Sequence, residues 1–368
     1  MQHQSRWSKL GAPRSDPAGH KYIPNGPPEQ YALSMQIPTP YLIFLGNAPD
    51  DLAAKTGQGI VDWRPEHCLG QLRLAHCRAD LGIPDCTLAE AATAGARTLV
   101  IGTVSPGGDL PGEWLPVLKE ALDLGMNVAS GMHVALRSFD VLVEAAASQG
   151  TQLFDLRHSD AAYPTGNGLP RSGRRLLTVG TDCGVGKKYT ALALHRAMRA
   201  AGFNADFRAT GQTGILISGS GIPIDAIVAD FVSGATEALT PANQPDHWDV
   251  IEGQGSLFHP SFAGVSLGLL HGSQPDAYVV CHEPTRTTLR NVSAPVPSID
   301  EVIEATTSLG HLTNPKIQCV GISVNTQALG TSEAAEYLRE LRERYRRPAC
   351  DPMRDGVGDI LEQIKRDY

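Results

Sequence analysis

A glycine-rich loop that ends in two lysines carries the clearest chemistry of this sequence. Its run Gly180-Thr-Asp-Cys-Gly-Val-Gly-Lys187 has the spacing of a phosphate-binding P-loop. Glycines let backbone N–H groups converge on phosphate oxygens, the helix that follows adds partial positive charge, and Lys187 adds a full charge. We therefore predict that the loop binds the phosphates of a ligand and that Lys187 is exposed there. The predicted ligand-binding residues are Gly180, Thr181, Asp182, Cys183, Gly184, Val185, Gly186, Lys187 and Lys188.

The residue after the loop lysine separates two kinds of ligand. In P-loop enzymes that use nucleotides, a Ser or Thr hydroxyl at this position ligates Mg²⁺. Here the residue is Lys188, which cannot ligate a cation, and Thr190 lies too far along the helix to replace the hydroxyl. A second ammonium favours a multiply charged phosphate ligand held without a metal. Coenzyme A, with a diphosphate and a 3′-phosphate, fits at least as well as ATP.

Candidate catalytic groups follow two further predicted strands. Glu252 comes directly after the apolar pair Val250-Ile251, and His282 follows the apolar run Ala277–Val280. The carboxyl ends of parallel strands are where such folds place their sites. Glu252 is therefore a candidate general base or, in an ATP enzyme, a metal ligand. His259 and His282 are the alternative bases.

Candidate substrate-binding groups occur at the same kind of position. Arg208 and Gln212 follow a predicted strand, and Glu283 and Arg286 follow the strand that precedes His282. An arginine suits a bidentate grip on a carboxylate. The sequence contains no C-x-x-C pair or zinc-binding pattern, so we predict no metal ligands.

The elements that position these residues alternate between strand and helix in two series. Apolar runs at Tyr41–Leu45, Thr98–Ile101 and Asn127–Ser130 predict strands of a first parallel sheet, and the run at 176–179 opens a second series. Residues 187–201 are predicted to form a helix after the loop. A helix over 223–234 is predicted to bury Ile224, Ile227, Val228 and Phe231 on one face and to carry Asp225 and Asp230 on its polar face.

The predicted fold class is α/β, with an N-terminal Rossmann-like domain followed by a P-loop NTPase-like doubly wound parallel-sheet domain. We expect a disordered N-terminal extension over 1–34, because that stretch is rich in Pro, Gly, His, Ser and charge and lacks periodicity. The first domain is assigned to 35–158, a linker to 159–175 and the second domain to 176–368. The first domain lacks the G-x-G-x-x-G signature of dinucleotide binding.

Composition narrows the classes of partner. The 368 residues carry a net charge of −8, which argues against nucleic acids and anionic membranes. No apolar run approaches the roughly 20 residues of a membrane span. Seven scattered cysteines fit reduced thiols in a cytoplasmic protein. We expect small-molecule substrates and a homo-oligomer.

The motifs also resemble a known family. Gly180–Lys187 and the run Glu252-Gly-Gln-Gly255 are similar to the two signatures of dethiobiotin synthetase-like P-loop proteins, and more closely to the D-glutamate N-acetyltransferase family. Further matching blocks are Pro40–Asp50, Trp63–Asp80, Ala129-Ser-Gly131, Arg208–Gly214, Asp246–Pro260, Leu267–Asp276 and Cys281–Arg286. The resemblance covers nearly all of the chain after residue 34. It implies transfer of an acetyl group from acetyl-CoA to D-glutamate in D-amino-acid catabolism, although Lys188 departs from the Met expected there.

Two other functions remain open at this point. An ATP-dependent ligase or kinase of the dethiobiotin synthetase type would need a hydroxyl after Lys187. A non-catalytic nucleotide-binding regulator would not need acid, imidazole and guanidinium groups gathered at strand ends. Preference for the D over the L enantiomer depends on pocket geometry, which a sequence does not give.

Overall fold

The structure is a computed structural model that describes residues 36–51, 53–103, 109–158 and 161–368. The predicted extension over 1–34 and the first two residues of the predicted linker lie outside the described residues. The third through last linker residues are described, and the strand that opens the second half begins at Arg174, within the linker's last two residues. Within the described ranges, no helix is long and apolar enough to cross a membrane.

The N-terminal half forms a five-stranded parallel sheet covered by helices. Its strands are β1 (Tyr41–Gly46), β2 (Cys68–Arg73), β3 (Thr98–Ile101), β4 (Asn127–Ser130) and β5 (Leu153–Asp155). Its helices are α1 (Lys55–Trp63), α2 (Leu88–Thr93), α3 (Leu115–Asp123) and α4 (Asp140–Gln149). The strand order is β2-β1-β3-β4-β5. All residues of β1 and β3 are buried, as expected for strands with helices on both faces.

The C-terminal half forms a six-stranded parallel sheet in the order β11-β10-β9-β6-β8-β7. Its strands are β6 (Arg174–Gly180), β7 (Ala205–Arg208), β8 (Trp248–Ile251), β9 (Ala277–His282), β10 (Gln318–Val324) and β11 (Ala349–Cys350). Its helices are α5 (Lys187–Ala200), α6 (Gln212–Ser218), α7 (Val232–Leu239), α8 (Ala263–Ser273), α9 (Ile299–Gly310), α10 (Thr331–Tyr345) and α11 (Gly358–Asp367). The predicted fold class, with Rossmann-like and P-loop halves, is confirmed.

The predicted helix over 223–234 is wrong. The chain makes two short 3-10 turns, Ile224–Ala226 and Ala229–Phe231, and α7 begins only after them. Ile227 interrupts the helical path with an extended backbone, at φ −84° and ψ 137°. Val228 is 68% exposed although Ile224 is fully buried, so the predicted apolar stripe does not form one face.

The two halves share part of their cores. One apolar cluster contains Ile43 and Leu45 of β1 together with Ile215 and Leu216 of α6. Tyr41 donates a hydrogen bond from its hydroxyl to the Leu216 carbonyl at 3.3 Å. Helix α1, which follows the carboxyl end of β1, packs against α6. This contact between α1 and α6 is called the seam below, and it brings side chains of the N-terminal half close to the phosphate loop.

Candidate active site at the carboxyl ends of the C-terminal sheet

The predicted phosphate loop connects β6 to α5. Gly184 and Gly186 have φ values of +69° and +101°, a left-handed conformation that favours glycine. The first N–H groups of a helix have no partner within the helix. In the part of the chain that the structure describes, nothing accepts a hydrogen bond from the N–H groups of Gly184, Val185 or Gly186. The loop therefore offers free donors to an anion.

Lys187 lies inside the loop rather than at its surface, so the prediction of an exposed lysine is wrong. Only 7% of the residue is exposed, and its Nζ donates to the Asp182 carbonyl at 2.7 Å. Burial lowers the pKa of Lys187 because it disfavours the charged form. The Lys187 side chain therefore crosses the loop, from the start of α5 to the carbonyl of Asp182.

The Asp182 side chain anchors the loop to the segment that follows β9. The residue is fully buried, and its Oδ2 accepts hydrogen bonds from Arg286 Nη1 at 2.7 Å and from the Arg290 N–H at 2.8 Å. Arg286 also donates to the Cys183 carbonyl. The Glu283 Oε2 lies 3.5 Å from Arg286 Nε, and its Oε1 accepts from the Thr285 N–H, which shapes the turn. Glu283 and Arg286 therefore support the loop, instead of standing free for a substrate carboxylate.

Glu252 lies directly after β8 and is 5% exposed. Its Oε2 accepts hydrogen bonds from the backbone N–H groups of Thr210 and Gly211, at 3.0 and 3.1 Å. Its Oε1 makes no hydrogen bond to any described residue and can accept a proton. Burial raises the pKa of Glu252, and the ammonium of Lys188 opposes that rise. A carboxylate with a raised pKa is a stronger base than an exposed one.

The two histidines differ in how free their ring nitrogens are. His259 is 2% exposed; its Nε2 contacts the Arg290 carbonyl at 2.9 Å, and its Nδ1 accepts from the Ser261 N–H at 3.2 Å. Both nitrogens are therefore used to hold the chain. His282 Nδ1 lies 3.1 Å from the Thr181 hydroxyl, and burial lowers its pKa, which favours the neutral ring. Glu252 is the better candidate for the base.

The side chains of the two remaining predicted substrate residues, Arg208 and Gln212, are bound by carboxylates of the protein itself. Arg208 turns back along β7, where its Nε donates to Asp249 Oδ1 at 2.6 Å. Gln212 donates to Asp225 Oδ1 at 3.1 Å. Asp225 also forms an ion pair with Arg157 of the N-terminal half, and it lies in a 3-10 turn, not on the polar face of an α-helix as predicted. Asp225 therefore links the two halves of the protein, and Arg208 links β7 to β8.

Two cations of the site were missed by sequence reasoning. Arg290 reaches the loop, since a Cβ added at Gly184 would lie 3.0 Å from its Nη1. Lys55, the first residue of α1, is close enough to Arg290 that the guanidinium adds to the desolvation that lowers the pKa of Lys55. No motif marks either residue, and only the packing of the two halves brings them together.

Gly214 gives a test of the Glu252 position. A Cβ there would lie 2.2 Å from Glu252 Oε2, so Gly214→Ala must displace the carboxylate. We expect kcat to fall at least about tenfold, with a loss of stability of about 1–3 kcal/mol from overpacking. Gly264→Ala is the matched control, because nothing lies within 4 Å of a Cβ at that helical position. Equal steady-state rates in both variants would contradict the placement of Glu252.

Comparison with known proteins supports the same two halves. Residues 164–361 match the model of a domain of unknown function described as the DUF1611_C P-loop domain, and residues 71–159 match the DUF1611_N Rossmann-like domain. A protein named D-glutamate N-acetyltransferase from Pseudoalteromonas is 50% identical over 331 residues, which cover 90% of this chain and 100% of that protein. One of the same name from Tritonibacter scottomollicae is 52% identical, over 89% of this chain and 99% of that protein.

A solved structure gives the same result for the fold. The crystal structure of a DUF1611 family protein from Anabaena variabilis aligns with a TM-score of 0.79 at 30% identity, and the alignment covers 89% of this chain and 100% of that one. The alignment thus extends over most of both halves of this chain. With both domain models and near-complete coverage of its relatives, this chain belongs to the DUF1611 family.

Proposed function

We propose that this protein transfers the acetyl group of acetyl-CoA to the amino group of D-glutamate. The observation that carries the proposal is the identity of 50% or more, over nearly the whole chain, to two proteins named D-glutamate N-acetyltransferase. The site supports it independently. A phosphate loop without a metal-binding hydroxyl lies beside a buried carboxylate that has a free oxygen.

The reaction needs a neutral amine, and Glu252 can supply it. The ammonium of the amino acid gives one proton to Glu252 Oε1, and the free nitrogen attacks the thioester carbonyl. The carbon–sulfur bond breaks as the carbon–nitrogen bond forms, and the second amine proton leaves with the collapse of the intermediate to neutralise the CoA thiolate. The products are N-acetylglutamate, CoA and one proton. The two backbone donors on Oε2 keep the carboxylate aimed throughout.

Charge divides the site between the two substrates. The free N–H groups of the loop, the ammonium of Lys187 and the guanidinium of Arg290, which lies next to Gly184, suit the phosphates of CoA. Lys55 belongs to α1 of the N-terminal half, and burial together with the Arg290 guanidinium lowers its pKa. Glutamate carries two carboxylates, and we assign Lys55 as a candidate partner for one of them in place of Arg208.

The test is to incubate the protein with acetyl-CoA and each glutamate enantiomer. Free thiol and N-acetylglutamate are followed by absorbance and mass spectrometry. We expect acetylated product with faster turnover of the D form. Equal rates for both enantiomers would overturn the stereochemical part alone. ATP hydrolysis without acetylated product would favour the ligase class.

The reaction is expected to proceed without a metal ion. Lys188 replaces the Mg²⁺-binding hydroxyl. Ligand atoms of Asp182, Cys183 and His259 do lie within 4.8 Å of one another, but Arg286 already pairs with Asp182. We expect EDTA-treated enzyme to keep its kcat and calorimetry to show CoA binding that is independent of Mg²⁺. Recovery of lost activity on adding Mg²⁺ or Zn²⁺ would contradict this.

A further inference from the structure

Lys188 follows the loop lysine, but its ammonium lies against the N-terminal half. A Cβ added at Gly59 of α1 would lie 3.1 Å from Lys188 Nζ. The Nζ is 5.0 Å from the ring centre of Tyr189, whose hydroxyl donates to Asp62 of α1 at 3.1 Å. Within the described ranges, Lys188 makes no ion pair and no hydrogen bond. Its charge is therefore available to a group at the seam.

Glu252 and Lys188 flank the same turn of α6. Thr213 Cγ2 lies 3.0 Å from the Cβ position of Gly59 that is also next to Lys188 Nζ. The next residue, Gly214, packs directly on Glu252 Oε2. The Glu252 carboxylate is bonded by backbone N–H groups and, among the described residues, has no side-chain cation in contact. A buried anion and a half-buried cation, each without a charged contact, thus lie on two sides of one helical turn.

We propose that Lys188 is a positioning residue for Glu252. The Lys188 ammonium holds the buried Glu252 carboxyl in the anionic form, which accepts the proton of the substrate amine. This proposal rests on the proposed acetyl transfer. It also replaces the sequence-based prediction that Lys188 binds phosphate.

The charged groups around Lys188 and Glu252 affect the pKa values of both residues. Burial raises the pKa of Glu252, Lys188 opposes that rise, and Asp225 adds to it. Burial lowers the pKa of Lys188 to about 8, with Glu252 and Asp62 opposing and Lys55 adding to the shift. Lys188 is therefore charged at pH values below about 8. Removing its charge must shift the titration of Glu252 upward.

The first test compares Lys188→Met with Lys188→Arg. For the Met variant we expect the acidic limb of kcat/KM for D-glutamate to move up by roughly one pH unit, the lower end of the usual effect of a nearby opposite charge. The Arg variant keeps the charge and should restore the limb. The Kd for CoA should change less than about twofold. An unmoved limb with a salt-dependent loss of CoA affinity would overturn the proposal in favour of a phosphate ligand.

A second test does not depend on the reaction. Thermal midpoints of the wild type, Lys188→Met, Glu252→Gln and the double variant are compared at pH 7 and at pH 4. The folded protein loses stability when a carboxyl with a raised pKa ionises. At pH 7, Lys188→Met should therefore lower the midpoint more in the protein that has Glu252 than in the Glu252→Gln variant. This coupling should disappear at pH 4, where Glu252 is protonated. Absence of coupling at pH 7 overturns the proposal. Coupling without acetylated product refutes only the proposed function.

Discussion

Glu252→Gln is expected to lower kcat by about 10²–10⁴-fold, the usual loss when a general base is removed. The amide keeps the size of the side chain, and its oxygen can still accept the N–H groups of Thr210 and Gly211. It cannot take up a proton, so the rate should suffer while substrate affinity does not. We expect the KM for D-glutamate and the Kd for CoA to change less than about threefold. Stopped-flow measurement of thiol release gives the rate.

The pH profile sharpens this prediction. Burial raises the pKa of Glu252 above its ordinary value. A base acts only when unprotonated, so activity is present above the folded-state pKa and is lost as the pH falls through it. The acidic limb of the wild-type profile should lie above the ordinary carboxyl pKa of about 4.3. The residual activity of the Gln variant should lack this limb.

Glu237→Gln is a suitable control for Glu252→Gln, because it also replaces a carboxylate that is at least half-buried. Glu237 also accepts backbone N–H groups, those of Asn167 and Gly168, but it lies away from the candidate site. Its replacement should leave kcat within about twofold of the wild type. If Glu252→Gln acetylated at the wild-type rate, His282 would become the next candidate, because both ring nitrogens of His259 are already used.

The strand-end rule explains which site residues could be predicted from the sequence. Apolar runs marked β6, β8 and β9, and their carboxyl ends meet, so Glu252 and His282 are found at the edge where they were expected. Arg208 follows the same rule by position, yet its side chain leaves the edge. In the pairing of β7 with β8, Asp206 lies opposite Asp249. The buried carboxylate of Asp249 accepts a hydrogen bond from the Arg208 guanidinium. A single sequence does not give this cross-strand partner.

The packing of the two halves was the other feature that the sequence could not predict. Lys55 and Arg290 are far apart in the chain and belong to no motif, and their electrostatic interaction depends on the packing of the two halves. The short strands β5 and β11 were also missed, since runs of three and two residues carry little periodicity. Local pattern predicted the layers, whereas tertiary contacts determined which charges face each other.

The second large effect is expected for the loop lysine. Lys187→Met should weaken CoA binding by about 1.5–3 kcal/mol, which is roughly a 10- to 150-fold increase in Kd. Methionine fills the space of the buried stem and removes only the ammonium that now donates to the Asp182 carbonyl. The desolvation that lowers the pKa of Lys187 offsets much of that bond, so the fold should survive the change.

Calorimetric titration with CoA at two salt concentrations measures this effect. The wild-type Kd should rise with salt more steeply than that of the variant, because one charge contact to phosphate has been lost. Lys365→Met is the matched control, since Lys365 is exposed on α11 and pairs only with Glu362 in the described part of the chain. A thermal midpoint within a few degrees of the wild type would show that Lys187→Met is folded. An unchanged Kd in that folded variant would mean that the phosphates bind elsewhere and that the loop has another role.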